Sequence, residues 1–197
     1  HPGLGYPAAA GLGLLVGSFL NVVILRLPPR LEWQWKRDAR EILEEPDLYD
    51  PPPPGIVVEG SHCPKCKKPL AWHENIPVLS WLLLRGRCRW CRQPISARYI
   101  GVELLTALLF CTVFLQAAIE PPPLGMTPLG HEALIPVTWV FLAALVCGAF
   151  VDFDHMILPD SVTIGGMVAG PVFSALVPAL HGREVWYQGL IASGIGE

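Results

Sequence analysis

The sequence is short of charge. Asp, Glu, Lys and Arg make up 16% of its 197 residues, against about 25% in ordinary soluble domains. With 52% hydrophobic residues and a mean hydropathy of +0.43, the chain has too little water-facing surface for a soluble monomer. The same composition excludes a disordered chain. A net charge of −3 removes the basic footprint that a nucleic-acid binder needs. Basic residues are missing from most of the length: 13 of the 14 Lys and Arg lie between Arg26 and Arg98, and Arg183 is the other. No G-x-G-x-x-G opens a helix, which excludes a Rossmann-type nucleotide site. Paired broken helices of the transporter kind are also missing, and no internal repeat is expected. What remains is a membrane protein with one polar segment.

Pro7 to Leu27 is apolar up to Arg26, long enough for the ~20 residues of a spanning helix. It lacks the basic start and small-residue cleavage site of a signal peptide. Tyr99–Ile119, Leu134–Val151 and Val162–Leu180 are further candidate spans. A fifth begins near Val185 and reaches Glu197 too soon to cross, so the chain is expected to stop in mid-helix. The fold class is therefore an all-α polytopic membrane protein with about five spans. It divides into a first span at 7–27, a polar segment at 28–98, and further spans over 99–197. Loops rich in Lys and Arg stay on the cytoplasmic side, which puts 28–98 in the cytoplasm and the N-terminus outside. Alternation then returns the 152–160 turn to the cytoplasmic face.

Within the polar segment, Leu31–Glu45 has helical composition, with Trp33, Trp35, Ile42 and Leu43 among charges. A helix along the membrane surface, one packed on the neighbouring cysteines, and a solvated connector are all compatible with it. Pro51–Pro54 cannot be helical and reads as a stiff spacer.

Cys63-Pro-Lys-Cys66 and Cys88-Arg-Trp-Cys91 form C-x2-C…x21…C-x2-C. Each C-x2-C turn presents two thiolates, and two turns complete a tetrahedral zinc site of zinc-ribbon type within 61–95. Lys65, Lys67, Lys68, Arg87, Arg89 and Arg92 crowd the turns and favour thiolate over thiol. A reducing cytoplasm argues against the alternative of two disulfides. Four thiolates leave no open coordination position, so the metal is expected to be structural. His62 and His73 are nearby alternative ligands. Cys111 and Cys147 lie inside spans, as small apolar side chains.

Val151-Asp-Phe-Asp-His-Met-Ile-Leu-Pro-Asp160 brings three carboxylates into otherwise apolar sequence. Charges at membrane depth are costly and are functional candidates by default. Asp152, continuing directly from Ala149-Phe150-Val151, is the foremost of them. Asp154 and Asp160 also read as interfacial groups, with Asp160 able to cap a helix that starts near Ser161.

Taken together, these motifs resemble the bacterial type IV prepilin peptidases. The resemblance is carried by Gly17-Ser-Phe-Leu-Asn21, Arg26-Leu-Pro28, Ser61-His-Cys-Pro-Lys-Cys66, Asn75-Ile-Pro-Val-Leu-Ser80-Trp, Leu84-Arg-Gly-Arg-Cys88, Ile95-Ser-Ala-Arg-Tyr99, Val102-Glu103-Leu-Leu-Thr106 and Asp152…Pro159-Asp160, in that order. It implies an inner-membrane enzyme in the lipid bilayer, of GxGD type, that cleaves the basic leader from prepilins or pseudopilins with two aspartates. It further implies N-methylation of the new N-terminus by S-adenosylmethionine. The first aspartate carries over to Asp152, with Asp154 and Asp160 as supporting or leader-binding residues. The family's second aspartate lies in a later G-x-G-D. Gly194-Ile-Gly196-Glu197 mimics that motif inside a span that has barely begun and is not accepted as it. A chain ending there is expected to lack peptidase activity. For methylation the resemblance points to Gly17, Asn21, Gly86 and Glu103, although a plain helix–helix hydrogen bond explains Asn21 and Glu103 equally well. The alternative function is a zinc-bearing membrane scaffold without catalysis. The oligomeric state stays open.

Overall fold

The computed structural model describes residues 2–46, 50–57, 59–122 and 128–176. Their regular structure is helical, with no strand among the described residues. The helices are α1 (Pro2–Ile42), α2 (Leu79–Leu83), α3 (Arg98–Ile119), α4 (Pro128–His155) and α5 (Asp160–Leu176), and a short 3₁₀ turn covers Trp72–Asn75. Among the described residues, three helical stretches are long and apolar enough to cross a membrane: Gly5–Ile42, Arg98–Ile119 and His131–His155. The expected fourth span falls on α5, whose described part is an apolar helix shorter than a full crossing, and the rest of it and the fifth lie outside the described residues.

α1 differs from expectation. The sequence predicts a span ending at Leu27, before Pro28-Pro29, yet one helix of 41 residues runs through both prolines. At 1.5 Å per residue it is about 60 Å long, twice the ~30 Å hydrocarbon core. Each proline keeps a helical φ but donates no hydrogen bond to the preceding turn. Pro28 is fully buried, and its packing offsets part of that loss.

α1 and α3 pack the most closely of any pair, and glycine makes this possible. A Cβ on Gly13 would lie 2.6 Å from the Cα of Ala107, and one on Gly17 would lie 2.7 Å from the Cα of Glu103. With no side chain at these positions, which are four residues apart on one helix face, the two backbones come together as in membrane G-x3-G pairs. α4 closes the other side. Leu20, Ile24, Val102, Val146, Cys147 and Val151 form the core. The Phe110 and Trp139 rings stack at 4.8 Å, and the Trp139 indole N–H donates to the Phe110 carbonyl at 3.0 Å.

The proline stretch is more than a spacer. Arg26, Arg30 and Trp33 fall on one face of α1, and each donates to a carbonyl of the returning chain. Arg26 reaches Gly55 at 2.6 Å, Glu59 at 2.8 Å and Gly60 at 3.1 Å. Arg30 reaches Pro53 at 2.9 Å, and Trp33 reaches Asp50 at 3.0 Å. Asp50, Pro53, Gly55, Glu59 and Gly60 are thus strapped antiparallel along the second half of α1. They deliver Ser61 and the cysteines beside the helix near Arg26.

Candidate functional site

The two C-x2-C turns are copies of one another, which corrects the expectation of no internal repeat. In the first, Cys63 N–H donates to Lys68, Lys67 N–H to Cys63, and Leu70 N–H to Ser61. In the second, Cys88 N–H donates to Gln93, Arg92 N–H to Cys88, and Ile95 N–H to Gly86. Lys67 and Arg92 occupy the same left-handed position, at φ 57° and 55°. Isolated bridges His62–Pro69 and Arg87–Pro94 close both turns. The signal is present in the sequence: Ser61–Leu70 and Gly86–Ile95 share a basic-Cys-x-x-Cys-basic-polar-Pro-apolar pattern.

The copies face each other and bring the Sγ atoms of Cys63, Cys66, Cys88 and Cys91 within 4.8 Å of one another. Cys63 and Cys91 are 3.7 Å apart. Four sulfurs at about 2.3 Å from one zinc ion sit ~3.8 Å from each other, so the donor set fits that metal. The cysteines are free thiols, and Cys63 and Cys88 are buried. The backbone N–H of Cys66 aims at Cys63 and brings its thiol down to about 6. At Cys91 the Gln93 N–H pulls downward, but burial and the neighbouring sulfurs outweigh it and push the thiol up to about 11.

Between the copies, Trp81 caps the second turn. Its indole N–H donates to Ile95 at 3.2 Å, and its ring lies where a Cβ on Gly86 would be, at 2.7 Å. Gly86 also has φ +66°, so both space and conformation require glycine there. Asn21 and Glu103 both take part in hydrogen bonds between α1 and α3, Asn21 with Tyr99 and Glu103 with Ser18. The Asn21 amide donates to the Tyr99 carbonyl at 2.9 Å, and Glu103 accepts the Val78 N–H at 2.7 Å. Gly17 packs on Glu103 and Thr106. Gly17, Asn21 and Glu103 are therefore together at the α1–α3 contact, and Gly86 belongs to the cysteine module.

A cavity of about 680 Å³ opens where α1, α3 and the module meet. Ser18, Asn21 and Arg26 line it from α1, Tyr99 and Glu103 from α3, and Glu74, Trp81 and the inner faces of Cys63 and Cys88 from the module.

The residues of the acidic turn do not line this cavity. Asp152 is exposed in the last turn of α4. Asp154 is engaged: Arg98 Nη1 lies 2.7 and 2.6 Å from its two oxygens, and Nη2 reaches the Phe150 carbonyl at 3.4 Å. α5 begins at Asp160 itself, one residue before the expected start, so Asp160 opens the helix as its first residue. Gly194–Glu197 lies outside the described residues.

Residues 12–117 match the family model of the bacterial peptidase A24 N-terminal domain. The chain belongs to that family. It is 51% identical over 196 residues to a prepilin leader peptidase/N-methyltransferase of Xanthomonas campestris pv. campestris, covering 96% of this chain and 64% of that protein. Proteins of the same name from Aeromonas hydrophila and Pseudomonas putida are 45% and 39% identical. They match 83% and 92% of this chain, and 52% and 61% of their own lengths. This A24 chain thus spans less than two thirds of these relatives. No solved structure matches it significantly.

Proposed function

We propose that this chain is the larger part of a bifunctional prepilin leader peptidase/N-methyltransferase of the bacterial inner membrane. The observation that carries the reading is 51% identity across 96% of the chain to a prepilin leader peptidase/N-methyltransferase. The concentration of Lys and Arg between Arg26 and Arg98 supports a cytoplasmic position for the module, the strap and the projecting half of α1, with a periplasmic N-terminus.

Four convergent sulfurs hold a structural zinc, which fixes the wall of the cavity. Bound S-adenosylmethionine supplies the methyl group, and the cavity residues bind and orient it. Asp152, exposed and uncommitted to an ion pair among the described residues, serves as one member of the aspartate pair. The second member comes from the part of the relatives' length that this chain does not span. One carboxylate takes a proton from water while the other donates one to the scissile carbonyl, the division that close carboxylates enforce. Asp154 braces α4 against α3, and Asp160 remains available to a basic leader. The substrates are prepilins or pseudopilins, whose apolar helices lie against the spans.

The test compares cleavage of a prepilin by this chain and by one extended past Glu197, each with and without Asp152→Asn. The reading expects cutting only by the extended chain and none after the substitution. Equal cutting by extended Asp152→Asn overturns the assignment of Asp152. If no version cuts, the scaffold reading replaces the enzyme.

A further inference from the structure

α2 is a helix of five residues, none of them buried among the described residues. Its two faces differ. Ser80, Trp81 and, just past its end, Leu84 line the cavity, whereas Leu79, Leu82 and Leu83 are 49%, 58% and 74% exposed. Spaced i, i+3 and i+4, these three leucines share one side of the turn. A helix this short is not stable by itself, and leucines facing water add nothing to hold it.

The helix stands at a defined depth. Val78, its N-cap, is tied through its N–H to Glu103 Oε2 at 2.7 Å. Glu103 follows Arg98, the first residue of α3, by five residues, or ~7.5 Å along the axis. The whole of α3, 22 residues, is ~33 Å long, close to the ~30 Å of the hydrocarbon core. As a span it has its ends at the two interfaces. That puts Val78 within the ~5–10 Å layer where interfacial apolar faces are held. Leu104, beside Glu103 on α3, is 51% exposed at the same level.

The charge around α2 has the matching sign. Residues 61–98 carry eight Lys and Arg, with Glu74 their only carboxylate. Arg85 and Arg87, which follow the helix directly, are exposed. Anionic headgroups of the cytoplasmic leaflet attract such residues. Resting on the cytoplasmic placement of the module proposed above, we infer that the face of Leu79, Leu82 and Leu83 is seated among the acyl chains of that leaflet, with Arg85 and Arg87 on the phosphates of anionic phospholipid. The segment between the cysteine turns is then held twice, by Glu103 from α3 and by lipid through α2.

The experiment places the photo-crosslinker p-benzoylphenylalanine in turn at Leu83, Leu108 and Leu43 of the full-length protein, in vesicles of equal parts phosphatidylcholine and phosphatidylglycerol. All three leucines are exposed, and zinc content and melting temperature check folding. Leu108 lies midway along α3. Leu43 lies ~33 Å beyond Asn21, whose amide meets Tyr99 at the start of α3. Mass spectrometry after irradiation should find phospholipid adducts at Leu83 and Leu108, and about fivefold fewer or none at Leu43. At Leu83 phosphatidylglycerol should exceed phosphatidylcholine about fivefold, and Arg85→Ser with Arg87→Ser should remove that excess. A ratio unmoved by the two substitutions overturns the arginine contacts. Lipid at Leu108 with none at Leu83 overturns the seat and leaves the spanning reading in place. A Leu83 crosslink to another segment or to a second copy overturns it by naming a protein occupant, and equal lipid labelling at Leu43 overturns it too. Lipid at neither Leu83 nor Leu108 overturns the spanning reading and the seat together.

Discussion

Glu103 Oε2 accepts the backbone N–H of Val78 at 2.7 Å, joining a buried carboxylate one turn into α3 to a β-branched residue held at φ 59°. Positive φ is unfavourable for valine, and Val78 is held between the Leu79 N–H to Pro77 carbonyl bond that spans it and its own N–H to Glu103. The segment between the two cysteine turns is thereby fixed to the membrane helices. Glu103→Gln retains an acceptor and should stay near wild type. Glu103→Ala leaves the Val78 N–H without its partner and should cost ~1–3 kcal/mol. Thermal unfolding in detergent, with protease sensitivity of the 76–85 segment alongside, separates the two.

Glycines of α1 should split sharply by position. Gly17→Ala forces a Cβ to within 2.7 Å of the Glu103 backbone and should destabilise by roughly 1–3 kcal/mol, as overpacking does. A Cβ on Gly11 would meet nothing within 4 Å, so Gly11→Ala should be neutral or stabilise by up to ~1 kcal/mol through helix propensity. Melting curves of the pair are the measurement.

The aspartates of the acidic turn should separate stability from chemistry. Asp154→Asn breaks a partly exposed pair with Arg98 and should cost no more than ~1 kcal/mol. Asp152 makes no such pair among the described residues, so Asp152→Asn should leave the melting temperature alone and abolish prepilin cleavage in the extended protein. Melting and cleavage measured side by side would expose a reversal of these roles.

Metal removal should act on the module first. With zinc bound, Cys63, Cys66, Cys88 and Cys91 should resist alkylation, and a chelator should make all four reactive. Cys147, buried in the core, should stay protected in both conditions. Mass spectrometry of the alkylated protein reads the difference.

The parts of this molecule that sequence reveals are those with a periodic or spaced signature. Apolar runs give the spans, and paired cysteines give the four-sulfur cluster, because each constraint is written in side-chain type at fixed intervals. The continuous α1 is hidden because Pro28-Pro29 reads locally as a breaker, and only tertiary packing around Pro28 keeps the helix going. Arg26, Arg30 and Trp33 are hidden for a different reason. Their partners are backbone carbonyls, which every residue carries, so no pattern in 50–60 betrays the pairing. Glu103 and Val78 follow the same rule. The role of Asp154 is ambiguous in the sequence because its partner, Arg98, is distant along the chain and comes within reach only through the packing of α3 and α4.

The strap has a mechanical consequence. Its contacts with α1 are made through carbonyl oxygens, and Pro51–Pro54 offer no N–H to a neighbouring chain. What it transmits is distance. The Arg26 guanidinium, gripping Gly55, Glu59 and Gly60, acts as a clamp on α1, and the position of the thiolates along that helix is measured from it. Extra residues added before Asp50 should bow outward and leave the cysteines where they are. The same residues added between Gly60 and Ser61 lie beyond the clamp, and there they change the length of the ruler itself.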